Sequence, residues 1–362
     1  MNNQFNIHPN IAEAETLPAQ FYRSEEIFQL IKEKVFLKSW QWIGSKDLVP
    51  FEGYAHPFIL LEGYLTEPLA VIRTNDNALI CLSNVCTHRG NIVVQQSGKT
   101  RNLSCMYHGR RFNLCGEFEF MPEFAKTKNF PRPCDDLPRF KLEEWGPFLF
   151  VGLAPSFELK QVINKMNERV GFLPLNEFKE DRLLSREYLV NAHWALYCDN
   201  YLEGFHIPFV HNDLNQALDY GTYTTILEDH MSLQIGYAED GVESFSLPAN
   251  HPDAGKNVAA YYYWVFPNMM FNFYPWGLSI NIVKPIGLDK TKVQFISYVY
   301  DSSKMDGGAG AILDKVERED EFVVESVQKG IRSNFYKAGR FSPDREQGVH
   351  HFHKMLAKFL NQ

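Results

Sequence analysis

Cys86-Thr87-His88-Arg89-Gly90 and, about one β-hairpin further on, Cys105-Met106-Tyr107-His108-Gly109 decide how the first part of this chain is read. One segment is spaced C-x-H and the other C-x-x-H, so each offers one thiol and one imidazole. A glycine one or two residues after each histidine puts the four side chains at loop tips, and such a donor set points to a metal. Zinc and iron–sulfur both accept it, but structural zinc modules usually group Cys with Cys and His with His, and both pairs here are mixed. Mixed pairs suit two inequivalent irons. The competing reading, two thiols packed as small hydrophobes beside two satisfied histidines, does not account for the repeated pairing.

Two Cys on one iron and two His on the other is the Rieske [2Fe–2S] arrangement, whose potential lies above that of all-Cys clusters. At these residues the chain resembles the Rieske proteins. Many relatives carry Trp after the His-Gly where this chain has Arg110 and Arg111, a difference expected to alter the cluster surface and not its ligands.

The chain has 362 residues, 45% of them hydrophobic, which predicts two domains with a substantial core. A net charge of -8 without a dense basic run argues against a nucleic-acid partner and for a small-molecule substrate or a protein partner. No apolar run approaches the ~20 residues that cross a bilayer, and the start lacks a basic-then-apolar signal pattern. Cys81, Cys115, Cys134 and Cys198 are scattered without a disulfide pattern, as in a reducing compartment. No membrane partner and a cytoplasmic location are expected.

Ser24-Glu25-Glu26 opens an amphipathic helix carrying Ile27, Leu30, Ile31 and Val35. From Trp40 to about Pro155, short apolar runs such as Ala70-Val71-Ile72 alternate with Gly, Pro, Asn and Asp, the mark of a small all-β domain closed by Phe148 to Val151. Residues 157–185 read as helix and loop, and 220–250 as strands with long connections. Runs beginning at Tyr261, Met269, Leu278 and Val293 read as consecutive antiparallel strands of a curved sheet. The run Gly307-Gly308-Ala309-Gly310 lacks a preceding βαβ unit and reads as a plain loop. His350-His351-Phe352-His353 is expected at the surface, with metal binding a lesser alternative.

The second informative stretch runs from Asp199 to His211. Asn200, Glu203 and His206 recur every third residue, so in a helix they stay on one side, drifting about 60° per step. Pro208 disfavours helical geometry at Ile207 and redirects the chain, letting His211 swing back. Further on, a helix is predicted from Leu313 to about Phe335, with Val316, Val323, Val324, Val327 and Ile331 on one stripe. Asp320 sits at the centre of that stripe, where a carboxylate must be paired, protonated or metal-bound. Glu317, Glu319, Glu321 and Glu325 read as a solvated acidic face. Two His and one carboxylate with open positions match the non-haem Fe(II) oxygenases; core histidines and a buried ion pair are the plainer alternatives.

Over essentially its whole length the chain resembles the α subunit of Rieske non-haem iron oxygenases. The carriers are the Cys86–His108 motif, Asn200-x-x-Glu203-x-x-His206-x₄-His211, and Glu319-Asp320 with Glu325-x-Val327-Gln328. The resemblance implies an α+β chain: a Rieske [2Fe–2S] domain at 39–155, and a helix-grip catalytic domain from 1–38 and 156–362 with a curved antiparallel sheet and a long C-terminal helix. It implies that Cys86, His88, Cys105 and His108 hold the cluster and that His206, His211 and Asp320 hold a mononuclear Fe(II). An acidic residue three before the first His links the cluster of one subunit to the iron of its neighbour. Most relatives have Asp there and this chain has Glu203, as do some members acting on quaternary amines.

The expected activity is oxygenation: O₂ and a small-molecule substrate react at the iron, with one electron from Fe(II) and one from the cluster. No G-x-G-x-x-G follows a strand, so electrons are expected from a separate NAD(P)H-dependent reductase or ferredoxin docking near Arg110 and Arg111. A homotrimer is implied by resemblance. Tyr261 to Trp264, Phe271, Phe273, Tyr274 and Trp276 fall near the expected pocket, where an aromatic cage suits a betaine-like quaternary amine; alternate strand residues among them are plain core. The alternatives are a ring-hydroxylating dioxygenase, favoured by an aromatic pocket without a basic group, a pure Rieske electron carrier and a zinc module.

Overall fold

The structure, a computed structural model, describes residues 4–211, 213–214, 219–239, 241–305 and 313–362. Leu37–Phe157 form one compact unit, and the residues before Leu37 together with Glu158–Gln362 form a second.

The first unit is all-β. Its strands are β1 (Trp40–Ser45), β2 (Tyr54–Leu60), β3 (Glu67–Arg73), β4 (Leu79–Ser83), β5 (Gly98–Lys99), β6 (Leu103–Ser104), β7 (Arg111–Phe112), β8 (Phe118–Phe120), β9 (Arg139–Trp145) and β10 (Phe148–Gly152). Seven form an antiparallel sheet in the order β1-β10-β9-β4-β3-β2-β5, and β6-β7-β8 form a small separate sheet. In β3 the run Leu69-Ala70-Val71-Ile72 is buried throughout, because successive side chains serve opposite faces. Ala70 and Ile72 join Ile80, Leu82 and Phe112 in a core that includes Cys86 and Cys105, while Val71 packs with Val49 and Leu149. The two Cys/His loops are therefore anchored by their own sulfurs.

The second unit is built on a seven-stranded antiparallel sheet, β11 (Lys179–Val190), β12 (Thr224–Glu228), β13 (Met231–Tyr237), β14 (Val258–Val265), β15 (Met269–Tyr274), β16 (Gly277–Gly287) and β17 (Lys290–Val299), in the order β11-β17-β16-β15-β14-β13-β12. Helices run over Trp194–Tyr201, Leu313–Ile331 and Gln347–Leu360. At Gly348 a Cβ would lie 2.2 Å from Leu202 O, so only glycine lets the last helix approach the end of Trp194–Tyr201 so closely.

Several expectations are corrected. Residues 179–185, read as loop, belong to the edge strand β11. Most of its side chains are exposed, so no buried face imposes the alternation by which a strand is recognised. The Leu313 helix ends at Ile331, and Val327 on its expected core stripe is exposed. The C-terminal histidines are not surface groups. His350 and His353 are buried, and His350, His351 and His353 bond His8 O, Glu228 O and Asp199 Oδ1 at 2.8, 2.9 and 2.9 Å. A helix with apolar residues around most of its circumference buries polar ones with them, and each is then paired. The glycine run 307–310 lies outside the described residues.

Candidate active site and metal centres

The two Cys/His loops share one backbone pattern. In the first, Gly90 N donates to Cys86 O at 2.9 Å and Cys86 N to Asn91 O at 2.8 Å; in the second, Gly109 N donates to Cys105 O at 3.0 Å and Cys105 N to Arg110 O at 2.8 Å. Both loops turn at glycines with φ of +73° and +72°, where a side chain would be strained. The thiols are buried, His88 is half-buried and His108 is exposed, with 4.8 Å between the ring centroids. A buried sulfur end and an outward imidazole end fit a cluster with a thiolate-held inner iron and an imidazole-held outer one. Asn91 Nδ2 adds a donor 3.5 Å from Cys105 Sγ. Burial, the His108 ring and the Arg89 and Arg110 charges hold the His88 imidazole below its ordinary pKa, favouring the neutral, metal-binding form.

Arg110 does not lie on the cluster surface. It is 1% exposed, and its Nη2 donates to Asp135 O at 2.8 Å and to Asp135 Oδ1 at 3.0 Å. Its guanidinium also lies over Phe112, Phe118 and Phe130, with 5.0 to 5.5 Å to the ring centroids. A planar cation can be buried where a carboxylate and ring faces surround it. Thr87 Oγ1 donates to the same Asp135 carbonyl at 2.7 Å, so both cluster loops tie to one residue. Arg111, by contrast, is exposed.

In the second unit Asn200, Glu203 and His206 do not share one helix, as the spacing predicts. The helix ends at Tyr201 and the chain turns through Leu202–Phe205. Pro208 does not bend the chain away either. It sits in the first turn of the short Ile207–Val210 helix, where its missing N–H costs nothing. The side chains nevertheless converge. Asp320 Oδ1 lies 3.4 Å from His206 Nε2, 3.0 Å from His211 Nε2 and 2.8 Å from Asn200 Nδ2. His206, His211 and Asp320 each offer one ligand atom within 4.8 Å of the others.

The opposite ring nitrogens are also held. His206 Nδ1 lies 2.7 Å from Glu203 Oε1, and His211 Nδ1 lies 2.7 Å from Glu319 Oε2. A carboxylate on Nδ1 takes that N–H and leaves Nε2 as the metal-binding lone pair. The surrounding charge favours a cation at this point. Burial pushes the His206 imidazole down, but Asp320 and Glu203 outweigh it and raise its pKa to about 10. His211 is likewise pushed down by burial and raised on balance by Asp320 and Glu319. Burial pushes Asp320 up, and the two histidines hold it below its ordinary value. Such a pocket attracts positive charge at the point where the three donors meet, which fits a divalent iron.

These groups open on a cavity whose wall carries Tyr197, Tyr201, Tyr223, Tyr262 and Tyr274. Trp276 stacks under Tyr274 at 5.3 Å and 9°. Tyr262 was among the expected aromatics, but Tyr261 and Tyr263 face the other side of β14, donating to Asp253 Oδ2 at 3.1 Å and Met166 O at 3.4 Å. Phe271 and Phe273 are buried and do not line the cavity.

The acidic face of the Leu313–Ile331 helix is mostly engaged. Glu319 holds His211, Glu317 accepts the Tyr197 hydroxyl at 2.7 Å, and Glu325 accepts Asn191 N and Nδ2 at 2.8 and 2.7 Å. Glu317 was legible in principle, being one helical step of about 60° from Asp320. Glu319, about 100° away, carried no such signal, nor did Tyr223 or Gln234.

Comparison with known proteins agrees with this geometry. Residues 39–131 match the Rieske [2Fe-2S] domain, and 177–362 match the ring hydroxylating alpha subunit (catalytic domain). Choline monooxygenase from Arabidopsis thaliana is 30% identical over 365 residues, covering 95% of this chain and 82% of that protein. The carnitine monooxygenase oxygenase subunit of Escherichia coli (strain K12) is 28% identical over 371 residues, covering 98% and 96%. Among solved structures, a quaternary ammonium Rieske monooxygenase in complex with L-carnitine has a TM-score of 0.77 at 23% identity over 98% and 99% of the two chains. Naphthalene 1,2-dioxygenase from Rhodococcus sp. gives 0.73 at 17% over 95% and 94%. The fold is thus common to monooxygenases and dioxygenases, and choline and carnitine monooxygenases are among the sequence relatives. By family and by fold, the chain belongs to the Rieske non-haem iron oxygenases, as an α subunit that works with a [2Fe–2S] cluster and a mononuclear iron.

Proposed function

We propose that this oxygenase hydroxylates or oxidatively demethylates a small quaternary amine. The observation that carries the reading is the cavity wall beside His206, His211 and Asp320: five tyrosines and Glu317, with no Lys or Arg among the described lining residues. None of the undescribed residues is Lys or Arg either. Tyrosine faces attract an ammonium, and a carboxylate supplies its counter-charge. An aromatic pocket without a basic group was expected to favour ring substrates. Glu317 reverses that preference, because a neutral ring would desolvate the acid and return nothing. The similarity to choline and carnitine monooxygenases supports the same substrate class.

In this reading Cys86, His88, Cys105 and His108 hold the cluster, and His206, His211 and Asp320 hold the iron. Once bound, the two groups supply the electrons and the Lewis-acid centre that O₂ activation needs. The chain's own residues do the rest. Glu203 and Glu319 fix the rings of His206 and His211, Asn200 Nδ2 fixes Asp320, and the tyrosine wall orients substrate and excludes water.

We assign Glu203 the link to the cluster of a neighbouring copy in a homotrimer. Its carboxylate also borders a second cavity, with Asp199, Glu346 and His353. Electrons come from a separate NAD(P)H-dependent reductase or ferredoxin, for which Arg111 offers an exposed cation. The four cysteines outside the cluster pairs, Cys81, Cys115, Cys134 and Cys198, are unbridged, which suits a cytoplasmic setting. Among the described residues no helix is long and apolar enough to cross a membrane.

The test is oxygen uptake by the loaded enzyme with a reductase, over a panel of quaternary amines and aromatic acids. Uptake matched by amine oxidation is the expected result; coupled uptake with the aromatic acids alone would overturn the reading.

A further inference from the structure

The cavity has two chemically distinct features beyond its metal donors. One is Glu317, held by the Tyr197 hydroxyl at 2.7 Å. The other is Gln234 on β13. Its Nε2 donates to Tyr201 O at 2.7 Å, and its Oε1 is buried without a hydrogen-bond partner among the described residues, on a side chain that lines the cavity. Gln234 is 1% exposed, and a buried acceptor left unpaired is costly, so a donor brought by the substrate is its natural complement. Of the other amide oxygens on the wall, Asn272 Oδ1 takes the Tyr201 hydroxyl at 2.5 Å and Asn281 Oδ1 the Ser279 hydroxyl at 2.9 Å, while Asn200 Oδ1 is also unpaired but belongs to the side chain that holds Asp320 among the metal donors.

Charge decides the rest. Glu203, Glu317 and Asp320 all line the cavity. These carboxylates, with Glu319 behind His211, outnumber the two charges of a ferrous ion, which favours a cation over a zwitterion. A substrate carboxylate would meet neutral amide donors of Asn272 and Asn281 but no guanidinium or ammonium, and it would lie close to like charges in a medium that screens them poorly.

Resting on the quaternary-amine reading, we infer that Glu317 is the counter-ion of the substrate ammonium and Gln234 Oε1 the acceptor for a substrate hydroxyl. The cavity thereby selects an amino-alcohol cation over a carboxylate-bearing zwitterion. Both residues set specificity and neither takes part in the oxidation.

The experiment is calorimetric binding to the cluster- and iron-loaded enzyme of choline, glycine betaine, L-carnitine, ethyltrimethylammonium and 3,3-dimethylbutan-1-ol, the last a neutral isostere of choline. Choline is expected to bind about tenfold or more tightly than either zwitterion or the isostere. Glu317→Gln is expected to weaken choline about tenfold while leaving the isostere nearly unchanged, and Gln234→Leu to weaken choline but not ethyltrimethylammonium. Visible absorption and iron content establish that each variant is assembled. Betaine or carnitine binding as tightly as choline to the unaltered enzyme would overturn the inference while leaving the quaternary-amine reading intact. If no ammonium compound outbinds the neutral isostere, the underlying reading falls as well.

Discussion

Glu319 Oε2 lies 2.7 Å from His211 Nδ1, while Asp320, the next residue on the same helix, reaches the other nitrogen of that ring at 3.0 Å. Adjacent residues on a helix point about 100° apart, so this pair can meet one imidazole from two sides only because the ring stands between them.

Outer carboxylates of this kind typically add 10- to 100-fold in metal affinity, on the order of what one oriented ligand gains. Glu319→Ala is therefore expected to weaken iron binding by about that factor in a chelator competition, with the visible cluster spectrum unaltered. Asp320→Ala removes the carboxylate that lies between the two histidines and is expected to leave the cluster in place with no mononuclear iron. Loss of both metals in either variant would sink the assignment.

Glu203→Gln keeps an oxygen that can accept the His206 Nδ1 proton, so both metals are expected to remain. What changes is the charge at the residue to which we assign the link between cluster and iron. In rapid mixing with O₂ and substrate, reoxidation of the reduced cluster is expected to slow by about tenfold or more, a barrier increase of roughly 1.4 kcal/mol. An unchanged rate would remove Glu203 from that path.

Arg110 and Asp135 have side chains only 2% and 11% exposed. Burial pushes the Asp135 carboxyl up, yet Arg110 and Arg132 hold it below its ordinary value. Arg110→Leu leaves that carboxylate only its Arg132 contacts and is expected to cost up to about 3–5 kcal/mol, read as a lower denaturant midpoint for cluster bleaching. Adding Asp135→Asn is expected to recover part of the loss. A single variant with the midpoint of the unaltered protein would show that the pair does not hold the loops.

His193 is fully buried among Phe21, Tyr22 and Phe28, and burial pushes its pKa down to about 3. The unfolded chain, with an imidazole near its ordinary value, binds more protons between that value and 3. The contribution to stability is therefore complete above the ordinary pKa and lost as pH falls through the window, at up to about 1.4 kcal/mol per pH unit. Urea unfolding from neutral pH down to about pH 5 is expected to show a flatter pH dependence for His193→Gln than for the unaltered protein. Equal slopes would refute it.

The sequence by itself displayed two sets of candidate donors and determined the class of fold. Cys86, His88, Cys105 and His108 lie in two short loops, and glycines, alternation and C-x-H spacing are local properties that a chain displays without folding. The carboxylate of Asp320 stood out for the same reason, as a charge on an apolar helical stripe. Tertiary structure decided what faces those donors. Glu317 lies nearer the apolar stripe than Glu319, but only the approach of Tyr197 and of the His211 ring gives each its role. Arg110 reads as a surface cation until Asp135, 25 residues on, and three phenyl rings enclose it. Gln234 and Tyr223 carry no pattern at all, because a cavity wall is drawn from several strands and helices and has no sequence period. Contacts closed across such distances cost chain entropy whose return is visible only in the folded packing, and these are the contacts that shape the substrate cavity.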